Sequence, residues 1–294
     1  MAVRVVTDSS AGLPEEIVAE LGIGVIELHV MDSEGKDGAE QSTSGVSAIE
    51  LAAFYGRQME RAAAAGGEEA VLAIHLSKDL SSTYSSAVTA SGAFAADALA
   101  VIDSGSTGMS MGAAVMAAAR LAQDGADLAE CRAAAEDTLA RSNTWVYLSS
   151  TDDLRRSGRM STATAMLSTA LLATKPIMEL VHGKVDLVGK TRTQTKAFTK
   201  LVELAVERAE GEPAFVAIQH NGDEEAAERL QDLLDGALPE GSSFMLLPLG
   251  GVLSVHVGSG AIGVSAVFAT ETPVPASKPK NPLGTFAARH QREQ

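Results

Sequence analysis

The sequence predicts an α/β protein of two domains: an N-terminal, mostly parallel sheet with flanking helices, then a C-terminal mixed α/β domain. Three observations predict it. Short β-branched runs alternate with Ala-rich segments of helical period, as strand-helix-strand units of a parallel sheet do. Two apolar runs flank the tight turn His182-Gly183, which favours antiparallel pairing in the second half. The length of 294 residues is about two ordinary domains.

In chain order, the first set of strands is expected at 3–7, 23–30, 71–76, 99–103 and 144–148, with helices over 47–64 and 110–123. The second set comprises strands at 176–181 and 185–188, a helix over 193–209, a strand at 214–219, a helix over 223–234, a strand at 243–247 and strand-like sequence over 252–270. We place the boundary near 150, giving domains 1–150 and 151–275. The remaining 276–294 reads as a loosely held tail, because residues 272–294 carry four prolines and a polar end.

Composition excludes several classes. With 46% hydrophobic residues the chain supports packed cores and is not disordered. One Cys cannot form an internal disulfide, so nothing points to an oxidising compartment. Cys131 lies in an Ala-rich helical pattern and reads as a small buried residue. No run approaches a membrane span of about 18 apolar residues, and the N-terminus has no cleavable signal, so a soluble, cytoplasmic protein is expected. The net charge of −15 opposes non-specific nucleic-acid binding, which depends on Lys and Arg neutralising phosphates.

That charge is uneven. Residues 151–200 hold nine Lys/Arg against four acids, a net +5 on a body that carries −20 elsewhere. A solvated face is the simple reading of such a run. The clustering of cations with Gly in Leu154-Arg155-Arg156-Ser157-Gly158-Arg159 instead suggests a turn that aims several of them one way.

Three hydroxyl-rich segments stand where a ligand or a helix cap is expected. Thr7-Asp8-Ser9-Ser10 ends the first strand, at the carboxyl edge where open α/β sheets bind ligands. Gln41-Ser42-Thr43-Ser44 precedes a helix, and Ser77-Lys78-Asp79-Leu80-Ser81-Ser82-Thr83-Tyr84 joins a strand to a helix. Hydroxyls and free backbone N–H groups at a helix N-terminus cap the helix or bind an anion such as a carboxylate or phosphate. Two such segments beside one sheet make a shared anion site a fair hypothesis.

Other motifs lead away from common chemistries. Asp103-Ser104-Gly105-Ser106-Thr107-Gly108 has neither dinucleotide nor P-loop spacing. Gly258-Ser259-Gly260-Ala261-Ile262-Gly263 matches G-x-G-x-x-G but runs into strand-like sequence. There is no G-x-S-x-G elbow and no H-E-x-x-H, and the six His form no close ligand pair, so no metal site is expected. His256, expected on a loop before the Gly-rich turn, is a structural His or a donor to a carboxylate.

Taken in order, these segments resemble the DegV family of bacterial fatty-acid-binding proteins. The resemblance rests on Val6-Thr7-Asp8-Ser9-Ser10 with Leu13-Pro14, Thr43-Ser44 with Ser47, Leu80 to Ala87, Asp103-Ser104 with Ser110 and Gly112, the Arg155–Arg159 run, Lys175-Pro176-Ile177, Lys190-Thr191-Arg192 with Lys196-Ala197, and His256 to Gly263. Eight stretches in register span residues 3 to about 270. The resemblance implies a non-catalytic protein that encloses a long-chain fatty acid, needs no cofactor, and holds the carboxyl group at the domain junction. It implies Thr43, Ser81 and His256 as headgroup ligands, with backbone near Ser82, and Asp8, Ser9, Gly258 and Gly260 as a secondary headgroup region. It also implies a separate ATP-dependent fatty acid kinase subunit as partner, docked on Arg155, Arg156 and Arg159, then Lys190 and Arg192. Three positions depart from the family pattern: Ser82 stands for its usual Gly, Val257 for Thr and Ser259 for Pro.

The energetics are compatible with that implication. Burying about fifteen methylenes gains on the order of 12 kcal/mol before ordering and association costs. Stripping water from a carboxylate costs several kcal/mol unless donors replace it. Met160 to Leu172, with Ile177, Met178 and Leu180, is the expected tunnel lining. Two alternatives remain beside this one: a stand-alone enzyme on a small carboxylated or phosphorylated metabolite with Asp8 and His256 as acid/base pair, and a lipid sensor without a kinase.

Overall fold

The computed structural model describes residues 3–35, 38–64, 70–166, 174–181 and 183–271. The expected tail therefore lies outside the described residues, as do His182 and much of the expected tunnel lining, 167–172.

The first sheet has four parallel strands in the order β2-β1-β5-β6: β1 (Val3–Asp8), β2 (Gly24–Ile26), β5 (Ala70–His75) and β6 (Leu99–Asp103). Every residue of β5 is buried, and successive side chains point to opposite faces, so both faces are covered. Two helix pairs cover them, α2 (Ala48–Ala64) with α3 (Thr83–Ser91), and α4 (Met109–Gln123) with α5 (Leu128–Ala140). Asp127 starts α5 with a reciprocal capping box to Glu130. Cys131 is buried in α5, as expected. Between β2 and α2 an antiparallel hairpin leaves the sheet, β3 (His29–Gly35) with β4 (Gly38–Ser44). The sequence read 23–30 as one strand and missed β4. The chain breaks at Glu27-Leu28, where the Leu28 N–H leaves the strand ladder for Ser9 Oγ at 3.0 Å. β4 is polar at Glu40 to Ser44, so it lacked the apolar signature of a strand.

The second sheet is mixed, in the order β11-β10-β12-β7-β8-β9, and contains β7 (Ser142–Tyr147), β8 (Lys175–Val181), β9 (Lys184–Thr191), β10 (Phe215–His220), β11 (Ser243–Pro248) and β12 (Ile262–Val267). Only β10 and β11 are parallel. β8 and β9 form the expected hairpin. β7, grouped by sequence with the first set, pairs with β12 and β8 in this sheet. Alternation assigns its faces. Trp145, Tyr147 and Ile177 point to the core under α8 (Gln194–Ala209) and α9 (Glu224–Asp235), while Val146, Leu148 and Met178 point to the opposite face. Thr193 and Asp223 cap α8 and α9 through their side chains.

α4 joins the two halves. It packs on β1 and β5 of one sheet and on β7 and β12 of the other. The buried Gln219 of β10 accepts from the Met109 N–H at the start of α4 (3.1 Å) and donates to the Gly12 carbonyl (3.5 Å). Thr144 Oγ1 donates to Ser110 Oγ at 2.7 Å beside it. Gly12 has φ 65°, and a Cβ there would collide with the Gln219 amide, so only glycine fits.

The sequence read 252–270 as strand-like around a Gly-rich turn, with His256 on a loop, and the structure corrects this. Residues Gly251–Val257 form helix α10, and β12 starts only at Ile262. The β-branched Val252, Val255 and Val257 suggested a strand, but a strand would split Val252 and Leu253 between faces. A helix puts Val252, Leu253, His256 and Val257 on one stripe.

Replacing Gln219 by Leu removes the acceptor of the Met109 N–H while keeping the volume apolar. We expect this to cost about 1–3 kcal/mol in urea unfolding. A change within about 0.5 kcal/mol, the range of an inconsequential surface substitution, would contradict its role at the joint.

Candidate functional site

The site forms where hairpin β3–β4 and the β5–α3 loop of the first half meet α10 and α6 (Asp152–Ser157) of the second. β4 carries Thr43, and the chain turns at Ser44-Gly45 into α2. Gly45 approaches the hydroxyls of Ser81, Ser82 and Thr83 so closely that a Cβ would sit within about 3 Å of all three. Ser81 Oγ accepts from the Thr83 N–H (3.2 Å) and bonds Thr83 Oγ1 (3.0 Å) at the start of α3. Two hydroxyl segments distant in sequence thus face each other across a glycine.

Beneath them is a cavity of about 100 Å³. Its walls are apolar: Leu28, Leu76, Leu80, Leu154, Val185, and the α10 stripe Val252, Leu253 and Val257. Thr43, Ser44, Ser81, Thr107, Arg159 and His256 supply its polar groups. Outside it lies a vestibule of about 500 Å³, edged by Gln41, Ser42, Asp153, Arg156 and Ser259 among others. Thr43, Arg159 and His256 line both spaces and form the seam between them. At that seam Thr43 Oγ1 lies 2.8 Å from His256 Nε2.

His256 sits mostly out of water, and desolvation, helped by the Arg159 charge, lowers its pKa from 6.5 to about 4. The imidazole is therefore neutral near pH 7, with one nitrogen able to donate and the other to accept. Arg159 donates to the backbone carbonyls of Leu80 and Ser157, which hold it at the seam. An anion entering here meets hydroxyls, an imidazole and a half-buried guanidinium, while an attached apolar chain meets leucines and valines.

The structure brings Thr43, Ser81 and His256 together around one cavity. Ser82 adjoins it, facing Gly45. Gly258 lines the vestibule, close against Asp153, and accepts from Asn221 Nδ2 (2.7 Å). Gly260 lines neither space and donates to the Asn221 carbonyl at 2.8 Å. Asp8 and Ser9 border a separate cleft with Leu13 and Glu15. Asp8 is fully buried with both oxygens engaged, and Ser9 Oγ is spent on the Leu28 N–H. Neither side chain reaches the cavity, for hydrogen-bonding reasons that the sequence could not display. His256 lies in α10 rather than on a loop.

Of the basic residues, Arg156 and Arg159 line the vestibule. Arg155 is exposed and pairs with Asp152 at 3.3 Å, and Arg156 pairs with Asp153. Lys190 and Arg192, at the end of β9 and just beyond, are exposed and line neither space. Ile177 and Met178 are fully buried in packed clusters instead of lining the cavity, although Met178 shares its cluster with the cavity walls Leu154, Val185 and Val257. Sequence reasoning missed the walls Leu28, Leu154, Val185 and Leu253. Their only signal was apolarity, which ordinary core residues share. Among the described residues no cluster of His, Cys, Asp and Glu could hold a metal ion, and no helix is long and apolar enough to cross a membrane.

Comparison with known proteins bears on this geometry. A family model described as "uncharacterised protein, DegV family" matches residues 2–269. The crystal structure of a DegV family protein from Corynebacterium glutamicum is 55% identical with a TM-score of 0.87, covering 93% of this chain and 99% of that one. The structure of a DegV family protein from Thermus thermophilus, described by its fatty acid binding, is 27% identical with a TM-score of 0.80 over 91% of this chain and all of that one. DegV of Bacillus subtilis, described as a fatty acid binding protein, is 29% identical with a TM-score of 0.77, covering 91% and 99% of the two chains.

The depressed His256 pKa sets a stability prediction. In the unfolded chain the group titrates near 6.5, so below that pH unfolding takes up a proton. Its contribution lowers stability as pH falls from about 6.5 towards about 4 and has no effect above. His256→Gln should flatten that part of the curve of urea midpoint against pH. Identical slopes for the two proteins would mean His256 is not held neutral.

Proposed function

The chain belongs to the DegV family, and from that premise we propose that it binds a long-chain fatty acid at the interdomain cavity, with the carboxylate held by Thr43, Ser81 and His256. The observation that carries this reading is the seam itself. A hydroxyl from one half and a neutral imidazole from the other lie 2.8 Å apart at the mouth of an apolar cavity. Fatty acid binding by the Thermus thermophilus and Bacillus subtilis relatives supports the same ligand class.

The chemistry fits a carboxylate with a long apolar tail. The neutral His256 can donate through a ring N–H without first displacing a bound counter-ion, and Arg159 adds positive potential at the seam. The acyl chain then replaces water against Leu80, Leu154, Val252 and Val257, at about 0.8 kcal/mol per buried methylene. The present cavity of about 100 Å³ is smaller than the roughly 300 Å³ that small-molecule sites start from, so a bound chain spreads these walls apart. Asp8 is enclosed and fully bonded, which leaves the enzymatic alternative without its acid/base partner for His256.

The bound carboxylate is presented through the vestibule to a separate ATP-dependent kinase, which forms the acyl phosphate. Arg155, Arg156, Arg159, Lys190 and Arg192 are the docking candidates. Of these, Arg156 and Arg159 edge the opening through which the partner would reach the headgroup.

Protein purified without added lipid should carry a fatty acid, read by mass spectrometry of an organic extract. An empty extract, together with no uptake of labelled oleate or palmitate, would refute the reading. Arg156→Glu should leave oleate binding within about twofold and lower acyl-phosphate formation with the kinase by about tenfold or more. Unchanged turnover would remove the docking surface and leave the lipid site standing.

A further inference from the structure

Asp8 was expected near the headgroup, yet it lies behind the cavity wall and bonds in four directions. Its Oδ1 accepts from the Ser10 N–H (3.2 Å) and Ser10 Oγ (2.5 Å). Its Oδ2 accepts from the Leu76 N–H (3.1 Å) and from His75 Nδ1 (2.9 Å). His75 Nε2 lies 2.6 Å from the Tyr55 hydroxyl. Asp8, His75 and Tyr55 are all fully buried. A carboxylate only accepts, so His75 donates through Nδ1 and leaves Nε2 to the Tyr55 hydroxyl. Burial and the Asp8 charge push the Tyr55 phenol well above its usual pKa, so it keeps its proton and shares a hydrogen bond with His75 Nε2.

The partners of this network are the walls of the cavity. Leu76 lines it, and its N–H is fixed by Asp8 directly. One residue on, the Ser77 carbonyl accepts from the N–H groups of Leu80 (3.0 Å) and Ser81 (3.1 Å), both of which line it. Ser9, between Asp8 and Ser10, accepts from the Leu28 N–H, and the Ser10 carbonyl accepts from Thr107 Oγ1 at 3.3 Å. Leu28 and Thr107 line the cavity too. Tyr55 anchors the far end on α2, the helix that follows Thr43-Ser44-Gly45.

We infer that Asp8 is a positioning residue for the headgroup site: through Leu76 and the 77–81 turn it sets where the Ser81 hydroxyl stands against Thr43 and His256, without touching the ligand. The inference rests on the fatty-acid reading of the cavity. It gives the buried Asp8–His75–Tyr55 chain a role that neither binding contact nor catalysis supplies. In Asp8→Asn one oxygen becomes an NH₂ that cannot accept: at the Oδ2 place it strands the Leu76 N–H and the His75 Nδ1–H together and releases the turn, and at the Oδ1 place it strands the Ser10 N–H beside it.

The test compares oleate with oleyl alcohol, which share a chain and differ in the head. Wild-type protein should prefer the acid. Asp8→Asn should lower that preference about tenfold, and Tyr55→Phe, which frees only His75 Nε2, about threefold. A purely structural role lowers the melting temperature and weakens both ligands in step. That result, or an unchanged preference in the folded variants, overturns the inference. Should Asp8→Asn fail to fold, Tyr55→Phe decides alone by the same comparison. If wild-type protein binds neither ligand, the fatty-acid reading itself falls.

Discussion

A carboxyl group enters an apolar cavity only if fixed polar groups replace the water it gives up, and no single element of this fold carries enough of them. Thr43 comes from a hairpin, Ser81 from the turn before α3, His256 from a helix between β11 and β12 and Arg159 from the turn after α6. They meet because α4 packs on both sheets and Gln219 seals the joint at its N-terminus. The site is a product of docking two layers rather than of a local motif. Small-molecule sites are commonly found in clefts between domains for the same reason.

The electrostatics of the cleft follow from that arrangement. His256 is kept neutral because it stands out of water and beside a guanidinium, so it serves as hydrogen-bond partner and not as a fixed charge. The overall −15 charge would repel a fatty acid anion at long range, but screening over about 8 Å at physiological salt leaves the decision to local groups. The basic run 151–200 is partly neutralised by its own neighbours, as Arg155 with Asp152 and Arg156 with Asp153 illustrate. Arg159, bonded to carbonyls instead, retains its positive potential at the seam.

Much of the architecture was legible in the sequence, because buried parallel strands such as β5 read as unbroken apolar runs and Ala-rich helices keep their period. β7 was grouped with the wrong sheet, since strand-like sequence does not say which neighbours a strand will choose. α10 was misread because three valines outweigh helix spacing in a seven-residue element. At the site, the family resemblance drew attention to Thr43, Ser81 and His256. The residues' own chemistry left helix caps and a shared anion site, and a structural and a carboxylate-donating histidine, side by side. Asp8 and Ser9 looked like ligands for the same reason that makes them good internal acceptors: short polar side chains at a strand end. Only three-dimensional hydrogen bonding separates those two roles.

The account turns on where the acid head lies, and oleate labelled with ¹³C at its carboxyl carbon reports that directly. Bound to wild-type protein it should give one resonance that stays ionised between about pH 5 and 8, because hydrogen bonds to the charged form favour it. In His256→Ala that resonance should shift and its titration should move back towards that of the free acid. A bound carboxyl that titrates as it does in water, and identically in the two proteins, would place the head outside the Thr43–Ser81–His256 site and contradict the account.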